Sequence, residues 1–170
     1  NDDTYRFITA ERRGYVQVFK VTDAGNVQNA NNSYGSTSDE RIKKDITDSG
    51  SQWDDIKAIN VRKFKMGFGG DDSTKIGVIA QEVEAAGMNG LVEERNANEY
   101  EIKHNPVFGS LYEDGDDIPE GKKVGEIKEI KEKVKEVKYS ILYMKAIKAL
   151  QEAQTRIETL ETKVKALEDA

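Results

Sequence analysis

The sequence has no cysteine and a single histidine, and these two shortages exclude several kinds of functional site. Without cysteine the chain cannot form a disulfide framework, a thiolate nucleophile or a zinc site of the cysteine type. A histidine-rich metal site is excluded as well, and a Ser-His-Asp triad would depend on His104. We interpret His104 as an ordinary surface or loop histidine, and we expect neither a metal nor a cofactor.

Long apolar runs are also missing. No stretch approaches the roughly 18 consecutive apolar residues of a membrane-spanning helix, so we expect no membrane partner. The net charge of −6 argues against nucleic-acid binding, which needs an excess of Lys and Arg to neutralise phosphates. With 36% hydrophobic and 34% charged residues, the composition is typical of a chain that carries a long solvated helix.

The amino-terminal part has the pattern of β-strands. In residues 15–21, aromatic and β-branched side chains recur in alternation, which predicts a strand. A turn is expected over residues 23–26, and Val27 then resumes the strand. Residues 29–37 are mostly Asn, Ser, Gly and Thr with little to bury, which predicts a linker. We therefore place the first domain boundary after Thr37.

Residues 38–139 mix helical and strand periodicity, which predicts an α+β domain. We expect Trp53 to anchor its core. The predicted elements are a short helix over 53–59, a strand over 61–68, a turn over 69–73, a buried strand over 76–80, a helix over 81–86, a break over 87–90 and a returning strand at 91–92.

Two segments before the last helix can each be interpreted in more than one way. Residues 105–123 contain both prolines and an acidic cluster, and we interpret them as an exposed loop or flexible hairpin. Such a loop can bind calcium, but the spacing fits no EF-hand and we favour a solvated loop. Residues 126–138 carry apolar side chains at spacings of three and four, so we predict a helix there. We expect a break near Tyr139, with Ser140 as the N-cap of a new helix.

The last segment, residues 140–170, is predicted to be a long amphipathic helix that associates with further copies of the chain. From Leu150 onward, apolar residues repeat with heptad spacing between charged flanks. Before Leu150 the helix is apolar on several faces, so we expect that part to pack into the α+β core. Packing of the whole helix on its own domain is the alternative. The pattern does not decide between a dimer and a trimer. The seam residues are Leu150, Ala153, Ile157, Leu160, Val164 and Leu167.

The segment SDERIKKDI, residues 38–46, is the candidate chemical site. From the residues alone, Ser38 or Asp39 would cap a helical turn whose charges are solvated. Four further blocks complete a resemblance to the carboxy-terminal intramolecular-chaperone auto-processing domain of phage tailspikes and tail fibres. The length and the β-rich beginning most resemble a long tail fibre such as the L-shaped fibre of a siphophage. The matching blocks are SDERIKKDI at 38–46, INVRKF at 59–64, IGVIAQEV at 76–83, VKYS at 137–140 and KAIKAL at 145–150.

The resemblance implies a self-cleaving serine endopeptidase that cuts once, between Thr37 and Ser38. In this family the serine is the nucleophile and the lysine five positions on, here Lys43, is its base. Residues five apart meet only across a turn or through contact between subunits, and the sequence leaves both possibilities open. Supporting roles are expected for Asp39, Arg41, Gln81 and Glu82.

The resemblance also implies an architecture and a biological setting. The expected fold class is α+β: a β-rich fibre end over 1–37, a chaperone and auto-peptidase core over 38–139, and a helix over 140–170 that forms a trimeric coiled coil or bundle. The partners would be two further copies and the preceding fibre segment. The fibre would belong to the virion, and the chaperone part would be released in the host cytoplasm. A permanent, non-catalytic trimerisation or adhesin tip is the alternative function.

Overall fold

The computed structural model describes residues 6–14, 16–22, 26–68 and 72–170. The chain divides into two compact units, Asn1–Asp48 and Ser49–Ala170. Strands and helices are both present, and a long helix ends the second unit, so the predicted α+β class is confirmed. None of the helices in the described ranges is long and apolar enough to cross a membrane.

The first unit contains one antiparallel sheet. Its strands are β1 (Arg6–Arg12), β2 (Val16–Thr22) and β3 (Val27–Asn29), paired in that order. The predicted strand over 15–21 is confirmed by β2, and most of the predicted turn at 23–26 lies outside the described residues. The expected linker is irregular and largely exposed. A one-turn 3₁₀ helix follows at Glu40–Ile42.

In its described residues, the second unit contains three two-stranded antiparallel ladders and four α-helices. Its small core contains Val83, Met88 and Leu91, against which Ile59 and Leu142 pack. The ladders pair β4 (Arg62–Phe64) with β5 (Lys75–Gly77), β6 (Val92–Asn96) with β9 (Lys133–Val137), and β7 (Gly109–Leu111) with β8 (Ile127–Ile130), and the helices are α1 (Trp53–Ala58), α2 (Ala80–Ala85), α3 (Glu99–His104) and α4 (Tyr139–Glu168).

Several predictions for this unit are confirmed. The short helix expected over 53–59 is α1, the helix expected over 81–86 is α2, and the returning strand is β6. The stretch 105–123 includes β7 and leads through an irregular loop towards β8, so the hairpin interpretation holds. In the part of the chain that the structure describes, no acidic group is arranged to hold a metal ion.

The prediction of a buried strand over 76–80 was wrong in extent, and in burial at Ile76. Strand β5 ends at Gly77, and Ala80 already begins α2. Ile76 is 71% exposed, because β5 pairs only with β4 in a two-stranded ladder that leaves one face to solvent. The strand predicted over 61–68 is likewise shorter, and most of the turn predicted at 69–73 lies outside the described residues.

The helix predicted over 126–138 was also wrong, since the segment forms strands β8 and β9. Each strand pairs with a partner remote in sequence, and opposite charges face each other across β6 and β9. Lys133 Nζ lies 3.5 Å from a carboxylate oxygen of Glu94, and Lys138 Nζ lies 2.6 Å from one of Glu93. Such tertiary pairing overrides the local periodicity.

Helix α4 begins one residue earlier than expected, at Tyr139, with Lys138 and not Ser140 at the N-cap. Leu142 and Ala149 of its first part pack inward, whereas Met144 is 61% exposed. The expectation that this part is buried in the core was therefore wrong for most of its apolar side chains. Trp53 is half-buried at the surface of α4 and is not a core anchor.

Candidate active site

Ser38 and Lys43 meet in the first unit of this single chain. Lys43 Nζ donates a hydrogen bond to Ser38 Oγ at 2.7 Å, which is within the range for direct proton transfer. Both residues are exposed. Of the two arrangements that the sequence left open, the structure has the one in which the pair forms across a turn.

The turn that joins them is the 3₁₀ helix at Glu40–Ile42. Asp39 caps it, because its Oδ1 accepts from Arg41 N at 2.9 Å, and so the predicted cap is confirmed. Lys43 N donates to Glu40 O at 3.2 Å and closes the turn. With about three residues per turn, this short helix reverses the chain enough for two residues five apart to face each other.

Asp39 and Arg41 also form a side-chain pair beside this turn. Arg41 Nε donates to Asp39 Oδ1 at 2.9 Å, and Arg41 Nη2 lies 2.5 Å from Asp39 Oδ2. The side-chain hydrogen bond from Arg41 holds the pKa of Asp39 below its usual value, and the same bond raises the pKa of Arg41. The charge of Arg41 is thus balanced by Asp39, and the two side chains stabilise the turn.

Gln81 and Glu82 lie in the second unit, in the first turn of α2. Glu82 accepts from Arg62 Nη2 at 2.8 Å and from Arg62 Nε at 3.0 Å, so the carboxylate holds β4 against α2. The pKa of Arg62 is raised by this hydrogen bond. Gln81 is exposed. The structure therefore brings Ser38, Asp39, Arg41 and Lys43 together, and it gives Glu82 a structural partner of its own.

His104 is an exposed residue at the end of α3, as expected of a surface histidine. Its Nδ1 lies 2.8 Å from Tyr100 O. Sequence reasoning missed a different residue, Glu152, whose carboxylate binds the chain just before α1 at Ser51. These two positions are 101 residues apart, and no local pattern in the sequence connects them.

Comparison with known proteins places this site at the start of a family match. Residues 38–93 match the model of a peptidase family described as chaperone of endosialidase. The match begins at Ser38 and includes the turn, α1, β4, β5 and α2. The resemblance inferred from the sequence blocks is confirmed over these residues. None of the curated proteins compared matches the chain.

Among solved structures, the chain is similar to the carboxy-terminal domain of the bacteriophage T5 L-shaped tail fibre with its intra-molecular chaperone domain. The two are 14% identical with a TM-score of 0.35, and the alignment covers 92% of this chain and 44% of that chain. This chain therefore spans less than half of the tail-fibre structure. The resemblance to the family therefore rests on the match over residues 38–93.

Proposed function

We propose that this chain, whose residues 38–93 match the endosialidase-chaperone family, is the intramolecular chaperone of a phage tail fibre and cuts itself between Thr37 and Ser38. The observation that carries the proposal is the 2.7 Å hydrogen bond between Lys43 Nζ and Ser38 Oγ, at the first residue of the match. A serine hydroxyl needs a base to become a nucleophile, and a lysine amine is a known alternative to histidine.

The reaction follows from the position of the serine. Ser38 Oγ attacks the carbonyl carbon of Thr37 while Lys43 takes the hydroxyl proton. The C–N bond of the peptide then breaks, the leaving nitrogen receives that proton, and an ester joins Thr37 to Ser38 Oγ. Water hydrolyses the ester and leaves a carboxylate on Thr37 and a free amine on Ser38.

A reaction that happens only once per chain can be slow. A lysine acts as a base only when its amine is neutral. Burial disfavours the charged form of a lysine, and a covered amine is neutral more often. A barrier of about 23 kcal/mol still allows completion within hours.

Association of three copies is the event that would cover Ser38 and Lys43, which together form the proposed catalytic dyad. Ile42 and Ile46 beside it are 63% and 67% exposed, and the seam of α4 is exposed as well, with Leu150 at 70%. Exposed apolar residues at heptad spacing on a helix end are stabilised when copies pack through them. The trimer is the state implied by the family resemblance, and the seam supports association without fixing the number of copies.

The parts of the chain then have distinct roles. Residues 1–37 are the end of the β-rich fibre stalk, 38–139 the chaperone and peptidase core, and 140–170 the oligomerisation helix. Aligned copies lower the entropy cost of bringing three fibre ends into register. Cutting afterwards removes the route back to the unfolded chains. The fibre stays in the virion, and the chaperone is released in the host cytoplasm.

Mass spectrometry of the folded, purified chain tests the proposal. We expect a fragment that begins at Ser38 and ends at Ala170, and we expect its loss in Ser38→Ala. Asp48→Ala, a change in the same segment but beyond the turn, serves as a control that should still be cut. An intact wild-type chain that associates stably and carries an unmodified Ser38 would instead support a permanent, non-catalytic fibre tip.

A further inference from the structure

The sheet of the first unit has one apolar face. Its pairing aligns β1, β2 and β3 in three uninterrupted rows of residues across the strands. Neighbours within a row point to the same side of a sheet and successive rows alternate, so the first and third rows share a face. That face carries apolar side chains, whereas the middle row is polar and holds the only charged residue of the three rows. The rows are Ile8–Val21–Val27, Thr9–Lys20–Gln28 and Ala10–Phe19–Asn29.

The apolar face is left partly open to solvent in the single chain. Ile8 is 56% exposed and Val27 is 48% exposed, at the two ends of the first row. Phe19 is only half-buried, and among the described residues of this unit Thr22 alone is buried. A sheet is normally stabilised by packing its apolar face against a second layer. The described residues of the first unit contain no such layer.

The chemistry of this face allows it to pack against a copy of itself. Lys20 belongs to the middle row, so contact between the apolar rows of two copies buries no charge from any row, and an unpaired buried charge would be costly. Asn29 is the one polar residue on the face. Its Oδ1 already accepts from Asn31 N at 3.1 Å and from Ser33 N at 3.0 Å. Covering the face therefore leaves this carbonyl oxygen satisfied.

The exposed seam of α4 provides the copies. Residues 8–29 of every copy are linked through the chain to its own α4, so association of the helices brings several apolar faces into one small volume. Linked groups reach effective concentrations of about 1 mM, roughly a thousand times the concentration of a micromolar solution. A copy of the same face thus has a concentration advantage that an unlinked partner lacks.

We propose that the apolar face of Ile8, Ala10, Phe19, Val21 and Val27 packs on the same face of the other copies. All five residues lie before the bond between Thr37 and Ser38, so this contact stays with the fibre ends and holds them together after the chaperone has been released. The inference rests on the association of copies in the proposed function, and it can be tested whether or not the chain cuts itself.

Single cysteines test the contact, because the chain has no cysteine of its own. Val21→Cys places a thiol on the apolar face, and the matched control Lys20→Cys places one on the opposite face of the same strand. The full chain is treated with a short bismaleimide, and covalently linked copies are separated by denaturing electrophoresis. We expect about tenfold more linked product from Val21→Cys, because association holds only its thiols close together. Addition of Leu160→Asp, which should dissociate α4, is expected to remove the difference.

Hydroxyl-radical footprinting keeps the test decisive if a cysteine disturbs the sheet. Oxidation of Phe19 should be several-fold lower in the wild-type oligomer than in the dissociated Leu160→Asp chain. Equal oxidation of Phe19 in the two chains would overturn the inference, and so would equal linking of the two cysteine variants in a chain that sediments as an oligomer. An oligomer that is linked through Val21→Cys but is never cut would contradict only the proposed self-cleavage. A chain that stays monomeric would refute the association itself, and the inference with it.

Discussion

The hydroxyl of Tyr139 occupies the space that a β-carbon on Gly77 would need. An ideal Cβ at Gly77 would lie 2.6 Å from Tyr139 Oη, and Tyr139 Oη accepts a hydrogen bond from Val78 N at 3.2 Å. The end of β5 and the first residue of α4 are joined at this point, 62 positions apart in the chain. A close tertiary approach, not a left-handed backbone, therefore favours glycine at position 77.

Gly77→Ala should consequently destabilise the second unit. The added methyl group must displace the tyrosine hydroxyl, and overpacking of this kind typically costs about 1–3 kcal/mol of unfolding free energy. Urea denaturation followed by circular dichroism measures it. Gly90→Ala is the matched control, since a Cβ there meets nothing within 4 Å. Equal midpoints for the two variants would show that the approach of Tyr139 does not constrain position 77.

The double variant Gly77→Ala with Tyr139→Phe identifies the atom responsible. Phenylalanine lacks the hydroxyl, so the double variant should recover part of the lost stability. Recovery should be incomplete, because Val78 N loses its acceptor. If the double variant is less stable by the sum of both single effects, the hydroxyl is not what excludes the methyl group.

Some elements of the second unit could be predicted from the sequence and others could not. Helices α1 and α2 were predictable because their apolar spacing is local. Strand β9 was not, since Val134 and Val137 also satisfy helical spacing. A signal was present in the charges: Glu94 of β6 complements Lys135 of β9, and Glu93 complements Lys138 just after it. Lys135 also reaches Glu84 in α2. Complementary charges become informative only once the pairing of the two segments is known.

The candidate site was also predictable only in part. Its residue types and the family to which they point could be inferred from the segment at 38–46, and the cap at Asp39 is a local feature. The distance between Ser38 and Lys43 was not predictable, because it depends on a single 3₁₀ turn that a loop of this composition does not have to form. The contact of Glu152 with residues 51–52 depends on tertiary packing, which produces no periodic pattern in the sequence.

The dyad geometry predicts cleavage within each chain. Ser38 Oγ and Lys43 Nζ belong to the same turn, so a chain that lacks either side chain should stay intact whatever its neighbours carry. When Ser38→Ala and Lys43→Ala chains are refolded together, we expect no fragment 38–170 in the mixed oligomers. Mass spectrometry detects it, with co-refolded wild-type chains as the positive control. Cut product from the mixture would mean that the dyad is shared between subunits.

Lys43→Arg separates the role of the amine from the role of its charge. Arginine keeps the positive charge and can still donate to Ser38 Oγ, but it is not deprotonated in proteins and cannot act as a base. We therefore expect cleavage to be abolished while the oligomer is unchanged. The neighbouring Lys44→Arg is the control and should be cut at the wild-type rate. Cleavage of the Lys43→Arg chain at a comparable rate would exclude Lys43 as the base.

The exposed seam predicts that association can be removed without unfolding the second unit. Leu160 is 59% exposed in the single chain, so Leu160→Asp should dissociate the oligomer and cost the unit itself little stability. Sedimentation measures the first effect and the urea midpoint of the dissociated chain the second. Ala166→Asp carries the same aspartate on an exposed position outside the seam and should stay associated. Two variants that dissociate equally would show that the seam is not the interface.

Glu101 links the stability of the second unit to pH. It is only 6% exposed, accepts from Arg95 Nη2 at 2.6 Å and from Arg95 Nη1 at 2.8 Å, and its side chain also completes the cap of α3. The hydrogen bonds from Arg95 lower the pKa of Glu101 against the opposing effect of burial. A carboxylate with a lowered pKa stabilises the fold at pH values above its unfolded pKa of about 4.3.

Glu101→Gln should therefore cost about 1–3 kcal/mol of unfolding free energy at pH 7, the usual loss for a hydrogen bond to a charged group. The difference between wild type and variant should shrink as the pH falls below about 4, because the unfolded carboxylate is protonated first, and the contribution is lost once the pH has also fallen through the lower pKa of the native carboxylate. Urea denaturation from pH 7 to pH 3 follows this difference. Glu99→Gln changes an exposed acid in the first turn of the same helix and should show a smaller, flatter difference. A Glu101→Gln difference that stays constant with pH would show that the ionised carboxylate is not what stabilises α3.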